Sequence, residues 1–145
     1  MDQLPLFIVT GLSGSGKSTA LAALEDVGFF CVDNMPVALL PCFMETPSPP
    51  EATGIAFGMD LREKGFVAGY DPVMTAMRAQ GFRVELMFLE ASEQVLVQRF
   101  SATRRQHPLA RGQGLLSGIR LEQQLLQALR AAADHVIDST RLNVH

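Results

Sequence analysis

The feature that most constrains this fold is a glycine-rich segment near the start of the chain. Residues 11–18 read GLSGSGKS and match the pattern G-x-x-x-x-G-K-[S/T] at every fixed position. An apolar run at residues 6–9 comes directly before the segment, and residues 18–27 follow it with apolar side chains at helical spacing. A strand that leads through such a loop into a helix is the context in which this pattern binds phosphate groups. A glycine-serine turn that matches by chance would lack both neighbours.

The residue types of this loop suit the chemistry of a polyphosphate. Glycines let the backbone take positive φ angles and approach the phosphates, so that successive N–H groups form a nest for anions. The helix N-terminus at Ser18 adds the positive end of its dipole. We expect Lys17 to bridge the outer phosphates and the Ser18 hydroxyl to coordinate Mg²⁺. The sequence therefore predicts a site for ATP or GTP with Mg²⁺, formed by Gly11, Leu12, Ser13, Gly14, Ser15, Gly16, Lys17 and Ser18.

The rest of the chain alternates between strand and helix patterns. Strands are predicted at residues 29–32, 54–59, 83–89 and 135–138, and helices at residues 71–80, 92–100 and 119–133. The last helix is predicted to bury Leu121, Leu125, Leu126 and Leu129 on one face. Four prolines in residues 41–50 and the polar, glycine-rich composition of residues 101–118 predict loops. We therefore expect one α/β domain over residues 1–145, with a mostly parallel, kinase-like sheet of the P-loop NTPase type and helices on both faces.

Composition excludes several other classes of protein. A chain of 145 residues with 48% hydrophobic and 19% charged residues is typical of a globular domain. No apolar run reaches the roughly 20 residues that a membrane-spanning helix needs, and the first residues do not resemble a signal peptide. A net charge of −3 argues against tight RNA binding by this chain alone. Two cysteines cannot supply a disulfide framework or a four-ligand zinc site, so a reducing cytoplasm is the expected location.

Two aspartates follow predicted strands and are candidates for a second Mg²⁺ ligand. Asp33 ends the strand that follows the first helix, and Asp60 ends the longer apolar run of residues 54–59. Because the carboxyl ends of parallel strands meet at one edge of a sheet, either carboxylate can lie beside the phosphates. A turn or a helix cap is the alternative role for each. Asp33 is also a candidate catalytic residue, since it could accept a proton from a substrate hydroxyl.

Basic residues are concentrated in and just after the helix predicted at residues 92–100. They are Arg99, Arg104, Arg105, His107 and Arg111. A solvated basic surface is the usual explanation for such a run. Arginines in a glycine-bearing loop can also fold over a bound nucleotide as a lid, or contact a phosphorylated partner. Arg104 and Arg105 are therefore candidate catalytic residues, and both explanations stay open.

Longer stretches of the chain resemble signatures of the RapZ/YvcJ family of bacterial nucleotide-binding proteins. They are VTGLSGSGKSTAL at residues 9–21, CVDNMP at residues 31–36, DLR at residues 60–62, FLEAS at residues 88–92 and RFSATRRQHPL at residues 99–109. The last stretch is far more specific than the phosphate loop. The resemblance implies an ATP- and GTP-binding domain with a second nucleotide-binding segment at Asp60, Leu61, Arg62 and Glu63. Some members read D-x-R-N there, and Glu63 takes the place of the final amide.

The resemblance also implies a regulatory function. Characterised members act as RNase adaptors, which bind a small regulatory RNA and present it to an endoribonuclease, mainly through a C-terminal domain. We expect that effector domain to be absent from this chain, and we expect at most weak hydrolysis of the nucleotide. The alternative function is a small-molecule kinase with an arginine-bearing lid, which rests on analogy of fold. Homo-oligomerisation is a further possibility that the sequence leaves open.

Overall fold

A five-stranded parallel sheet organises the part of the chain that the computed structural model describes, namely residues 5–45, 52–60, 66–103 and 114–141. The strands are β1 (Pro5–Gly11), β2 (Phe29–Val32), β3 (Gly54–Gly58), β4 (Arg83–Glu90) and β5 (His135–Asp138). Their order across the sheet is β2-β3-β1-β4-β5, and every neighbouring pair is parallel. The helices are α1 (Lys17–Asp26), α2 (Leu40–Phe43), α3 (Phe66–Ala79), α4 (Glu93–Thr103) and α5 (Leu115–Ala132). The predicted parallel α/β fold is confirmed.

The central strand β1 is buried because helices cover both faces of the sheet. Leu6 and Ile8 lie in the larger core with residues of β3, β4, α3 and α5. Val9 lies in a second core on the opposite face, where it packs with Leu21 of α1 and Leu89 of β4. Burial on two faces explains why this strand is a continuous apolar run and does not alternate with polar residues. The strand order places the carboxyl end of β1 at the middle of the sheet edge.

Within the described ranges, no helix is long and apolar enough to cross a membrane.

Helix α3 begins at Phe66, before the start predicted at residue 71, and it contains Pro72. A proline inside a helix removes one backbone hydrogen bond and crowds the preceding turn. The helix nevertheless continues because it packs against the sheet through buried side chains at helical spacing, which are Tyr70, Met74 and Met77. Tertiary packing outweighs the local signal here.

Three other boundaries differ from the prediction. Helix α4 continues to Thr103, and α5 already begins at Leu115, inside the segment that was predicted as a loop to residue 118. The short helix α2 lies within the proline-rich segment, with Pro41 in its first turn, where the missing N–H costs nothing. All three differences lie in or next to segments whose composition suggested loops.

The buried face of α5 is also not the predicted one. Leu126 and Leu129 are buried as expected, but Leu121 and Leu125 are 43% and 51% exposed. Glu122 takes a place on the inner face and is only 1% exposed. A carboxylate at such a position needs hydrogen-bond donors, because burial without them is costly.

Candidate functional site

The candidate site lies where β1 passes into α1. The strand ends at Gly11, and the helix begins at Lys17 with Gly16 as its N-cap in the left-handed conformation, at φ 103°. Gly11 has a φ of 155°, and a Cβ atom there would lie 2.2 Å from the carbonyl oxygen of Leu89 in β4. The backbone of the loop therefore packs directly on the neighbouring strand, which only glycine permits at this position.

Several N–H groups of the loop make no hydrogen bond with the described residues. The N–H groups of Leu12, Ser13 and Ser15 are used, because they donate to Leu89 O, Glu122 Oε1 and Leu12 O. Within the described part of the chain, no hydrogen bond is made by the N–H groups of Gly14, Gly16, Lys17 and Ser18. Helix α1 contributes the last two of these groups from its first turn, where N–H groups have no intrahelical partner. Free N–H groups at a helix N-terminus are the kind of donors that bind phosphate groups in other proteins.

Lys17 forms an ion pair with Asp33, one of the two predicted metal ligands. Its Nζ lies 3.5 Å from Asp33 Oδ1, and the two side chains are 25% and 38% exposed. Asp33 also accepts a hydrogen bond of 2.7 Å from the N–H of Asn34, whose φ of 57° turns the chain at the end of β2. The same carboxylate lies over β3, since a Cβ atom on Gly58 would be 2.3 Å from Oδ1. The structure thus brings Asp33 to the phosphate loop, although β2 and β1 are separated by β3.

Asp60 lies at the same edge of the sheet, two residues beyond the end of β3. Met59 before it donates a backbone hydrogen bond of 3.0 Å to Val9 O, which holds this stretch against β1. Asp60 is half-buried, and the Ser18 hydroxyl is on an exposed residue. Among the described residues, no group of three or more His, Cys, Asp or Glu side chains could hold a metal ion. The Ser18 hydroxyl and the carboxylates of Asp33 and Asp60 are oxygen groups of the kind that Mg²⁺ binds together with phosphates.

Several predicted site residues lie outside the described residues. They are Leu61, Arg62 and Glu63 of the second nucleotide-binding segment, and Arg104, Arg105, His107 and Arg111 of the basic cluster. Arg99, the first arginine of that cluster, lies in α4.

Glu122 of α5 holds the outer side of the loop and was not predicted. Its Oε1 accepts a hydrogen bond of 2.7 Å from the Ser13 N–H, and its Oε2 accepts one of 2.6 Å from the Ser13 hydroxyl. Both carboxylate oxygens therefore bind the same residue of the loop. A sequence signal was present: Glu122 interrupts the buried stripe formed by Ile119, Leu126 and Leu129. A charged residue on a buried helix face implies a specific partner.

Arg99 and Ser139 hold the next two residues of the loop. Arg99 donates from Nη1 to Gly14 O at 2.9 Å and to Ser139 Oγ at 3.0 Å, and from Nη2 to Ser139 O at 2.6 Å. The Ser139 hydroxyl donates in turn to Ser15 O. Burial lowers the pKa of the Arg99 guanidinium from its usual value, but an arginine remains protonated at neutral pH. Ser139, directly after β5, was not predicted as a site residue either.

Comparison with known proteins assigns the chain to a family. The family model of the RapZ-like N-terminal domain matches residues 4–145. The chain belongs to the RapZ-like N-terminal domain family. A "Nucleotide-binding protein" of Desulfosudis oleivorans is 57% identical over 147 residues, which cover 100% of this chain and 50% of that protein. A "Nucleotide-binding protein" of Myxococcus xanthus is 49% identical over 140 residues, covering 97% of this chain and 49% of that protein. The chain thus spans about half the length of the curated relatives it matches.

The fold of this RapZ-like domain is also that of small P-loop kinases. Shikimate kinase from Acinetobacter baumannii, solved in complex with shikimate, superposes with a TM-score of 0.61. The comparison covers 93% of this chain and 83% of the kinase, at 17% sequence identity. At that identity the likeness establishes the architecture and leaves the chemistry to the residues of the site.

Two hydroxyl groups of the RapZ-like domain are buried near the loop without a hydrogen bond. Ser15 is 1% exposed and Thr10 is 0% exposed. Neither Ser15 Oγ nor Thr10 Oγ1 has a partner in the described part of the chain. Buried polar atoms without partners are rare and costly, so each marks a place where stability is lost.

Proposed function

We propose that this chain is the ATP- or GTP-binding regulatory domain of a RapZ-like RNase adaptor in the cytoplasm. The observation that carries the proposal is the free nest of N–H groups at Gly14, Gly16, Lys17 and Ser18. Two phosphates of a nucleotide would accept these donors at the positive end of α1. The relatives named as nucleotide-binding proteins support the same ligand.

The side chains around the nest would hold the metal and the outer phosphate. Lys17 would leave Asp33 and bind the outer phosphate oxygens, which is an inexpensive exchange because the ion pair is partly exposed. Ser18 would bind Mg²⁺ through its hydroxyl, together with Asp60 or Asp33. The segment Asp60, Leu61, Arg62 and Glu63 would contribute contacts to the ribose or the base. Mg²⁺ supplies neutralisation of phosphate charge when it is bound.

A regulatory role fits this domain better than a catalytic one, because its sequence resembles a family whose characterised members act as RNase adaptors and not as metabolic enzymes. Nucleotide would shift the state of a further domain only if it bound two conformations with different affinity. A contact with the γ-phosphate, made in only one of the two conformations, would provide that difference in affinity. Arg104 and Arg105 are the candidates for this contact. In the full-length protein, a small regulatory RNA and an endoribonuclease would be the partners, and hydrolysis would be at most weak.

Calorimetric titration with Mg-ATP and Mg-GTP, followed by product analysis of each mixture, tests the proposal. We expect saturable binding of at least one nucleotide, with little diphosphate formed over the time of the titration. Arg120→Ala is a suitable control, since it removes an exposed cation of α5 that pairs with Glu93 and not with the loop. Absence of saturable binding by the wild-type chain would refute nucleotide binding. Rapid turnover of the nucleotide would refute the proposed regulatory function.

A small-molecule kinase is the second candidate, and the position of Asp33 favours it. This carboxylate lies 3.5 Å from Lys17, at the edge where an acceptor hydroxyl could meet the outer phosphate. It could orient that hydroxyl or take its proton. A screen of hydroxylated metabolites with Mg-ATP distinguishes the two candidates. A phosphorylated product formed at ordinary enzyme rates, and lost in Asp33→Asn, would establish the kinase.

A further inference from the structure

Three successive loop residues are held by three separate parts of the chain. Ser13 is bound by Glu122 of α5, and Gly14 O is bound by Arg99 of α4. Ser15 O accepts from Ser139, which follows β5. We name Glu122, Arg99 and Ser139 the loop brace. Its three members lie far from the loop in sequence and meet it only in the folded chain.

The two sides of the loop are divided between the brace and the phosphate nest. The brace takes the Ser13 N–H and the carbonyl oxygens of Gly14 and Ser15, while the N–H groups of Gly14 and Gly16 make no bond within the described residues. A glycine-rich loop without such contacts would sample many conformations, and ordering it on binding would cost affinity. Contacts that hold Ser13 and the carbonyl oxygens of Gly14 and Ser15 restrict the backbone that carries the unbonded N–H groups before a ligand arrives.

We propose that Glu122, Arg99 and Ser139 are positioning residues that hold the phosphate loop in its binding conformation in the free protein. The inference rests on the proposed nucleotide site and adds the residues that organise it. Glu122 is the principal member, because it is buried and uses both carboxylate oxygens on Ser13. Hydrogen bonds to an ionised carboxylate are about twice as strong as neutral ones.

Arg99 and Ser139 form one connected unit. The serine hydroxyl accepts from Arg99 Nη1 at 3.0 Å while it donates to Ser15 O. Arg99 thereby reaches two loop carbonyls, one directly and one through Ser139. Helices α4 and α5 each supply one charged member of the brace. A displacement of either helix would therefore change a hydrogen bond to the loop.

The chemistry of Glu122 suggests a matched set of variants. Glu122→Ala removes both contacts with Ser13. Glu122→Gln can keep both, because its Oε1 can accept from the Ser13 N–H while its Nε2 donates to the Ser13 hydroxyl. Leu129→Ala lies on the same buried face of α5 and leaves a cavity in the core, so it controls for lost stability alone.

The test measures Mg-ATP and Mg-GTP affinity by calorimetry. In the nucleotide-free protein, well below each unfolding temperature, it also measures hydrogen exchange of the Ser15 amide, which donates to Leu12 O within the loop. We expect Glu122→Ala to weaken nucleotide binding about tenfold and to speed that exchange, because loop ordering must then be supplied by the ligand. Glu122→Gln should remain within about threefold of wild type, since its neutral hydrogen bonds are weaker but retained. Leu129→Ala should lower the unfolding temperature and change neither readout.

Two results would overturn the brace. The first is a Glu122→Ala protein that is destabilised but keeps wild-type nucleotide affinity and wild-type exchange. That result would show that Glu122 has a purely structural role. The second is equal loss of affinity in Leu129→Ala. If wild type binds neither nucleotide, the proposed function fails, and the exchange data alone decide on the brace. If Glu122→Ala does not fold, Ser139→Ala serves instead, and unchanged exchange of the Ser15 amide in that variant overturns the proposal.

Discussion

The phosphate loop and the acidic edge formed by Asp33 and Asp60 lie at the same end of the sheet but are held very differently. The loop packs on β4 at Gly11, is bound from outside by Glu122, and hides Ser15 from solvent. Asp33, in contrast, is 38% exposed and pairs with Lys17 at 3.5 Å. The loop is thus held by close backbone packing and by long-range side-chain contacts, whereas Asp33 is held by an ion pair that a ligand can exchange.

This difference indicates that the loop and the acidic edge have separate functions in the site. A preorganised loop provides the same phosphate contacts to any nucleoside triphosphate, since it contributes backbone groups with fixed directions. Partly exposed carboxylates can move when metal or a second molecule arrives. We therefore expect substitutions in the loop to alter folding and affinity strongly, and substitutions at the acidic edge to alter metal dependence more modestly.

The largest effect should come from Gly11→Ala, which tests the rigidity of the loop. The new Cβ would meet the Leu89 carbonyl at 2.2 Å, and backbone atoms of a central strand cannot yield cheaply. We expect a loss of about 3 kcal/mol or more in the free energy of unfolding, measured by urea denaturation. Gly114→Ala is the matched control, because its φ is also positive but no atom of the described residues lies within 4 Å of the added atom. Equal losses in the two variants would mean that strain alone matters and that the close approach to β4 does not.

Lys17→Ala should separate binding from folding. Removal of the ammonium should lower Mg-nucleotide affinity about a hundredfold, because it deletes a charge-assisted contact with the outer phosphates. The free energy of unfolding should change by less than about 0.5 kcal/mol, since the ion pair with Asp33 is partly exposed. Calorimetry and urea denaturation on the same preparation measure both. Wild-type affinity in this variant would refute the phosphate-loop assignment.

The loop could be predicted from sequence because the pattern that identifies it is local. Strand, glycines and helix start follow one another over residues 5–26, and Asp33 could be placed at the sheet edge from its position after an apolar run. The partner of Ser13, by contrast, lies 109 residues away. Periodicity shows which face of α5 is apolar. The contact between Glu122 and Ser13, however, depends on where the sheet, including β4 and β5, positions that helix relative to the loop. Long-range packing also explains why Leu121 and Leu125 are exposed.

Asp60→Asn and Asp33→Asn should distinguish the two carboxylates. We expect Asp60→Asn to reduce the gain in nucleotide affinity that Mg²⁺ confers about tenfold, because an amide is a poorer ligand for this cation than a carboxylate. Asp33→Asn should preserve that gain and raise metal-free affinity about twofold, since Lys17 no longer has to leave an ion pair. Titrations with and without Mg²⁺ measure both terms. The reverse pattern would assign the metal to Asp33.

The smallest effects should come from the two buried hydroxyls, and they connect loop stability with function. Ser15→Ala and Thr10→Val each remove an oxygen that has no partner among the described residues, so each should raise the free energy of unfolding by about 1 kcal/mol. Only Ser15 belongs to the loop, and we expect its loss alone to weaken nucleotide binding, by about threefold. Urea denaturation and calorimetry provide the two readouts. A stabilised Ser15→Ala with reduced affinity would mean that the free protein accepts an unsatisfied hydroxyl because the bound state uses it. Unchanged affinity would leave that hydroxyl without a role in the phosphate site and would confine the loop's contribution to its backbone.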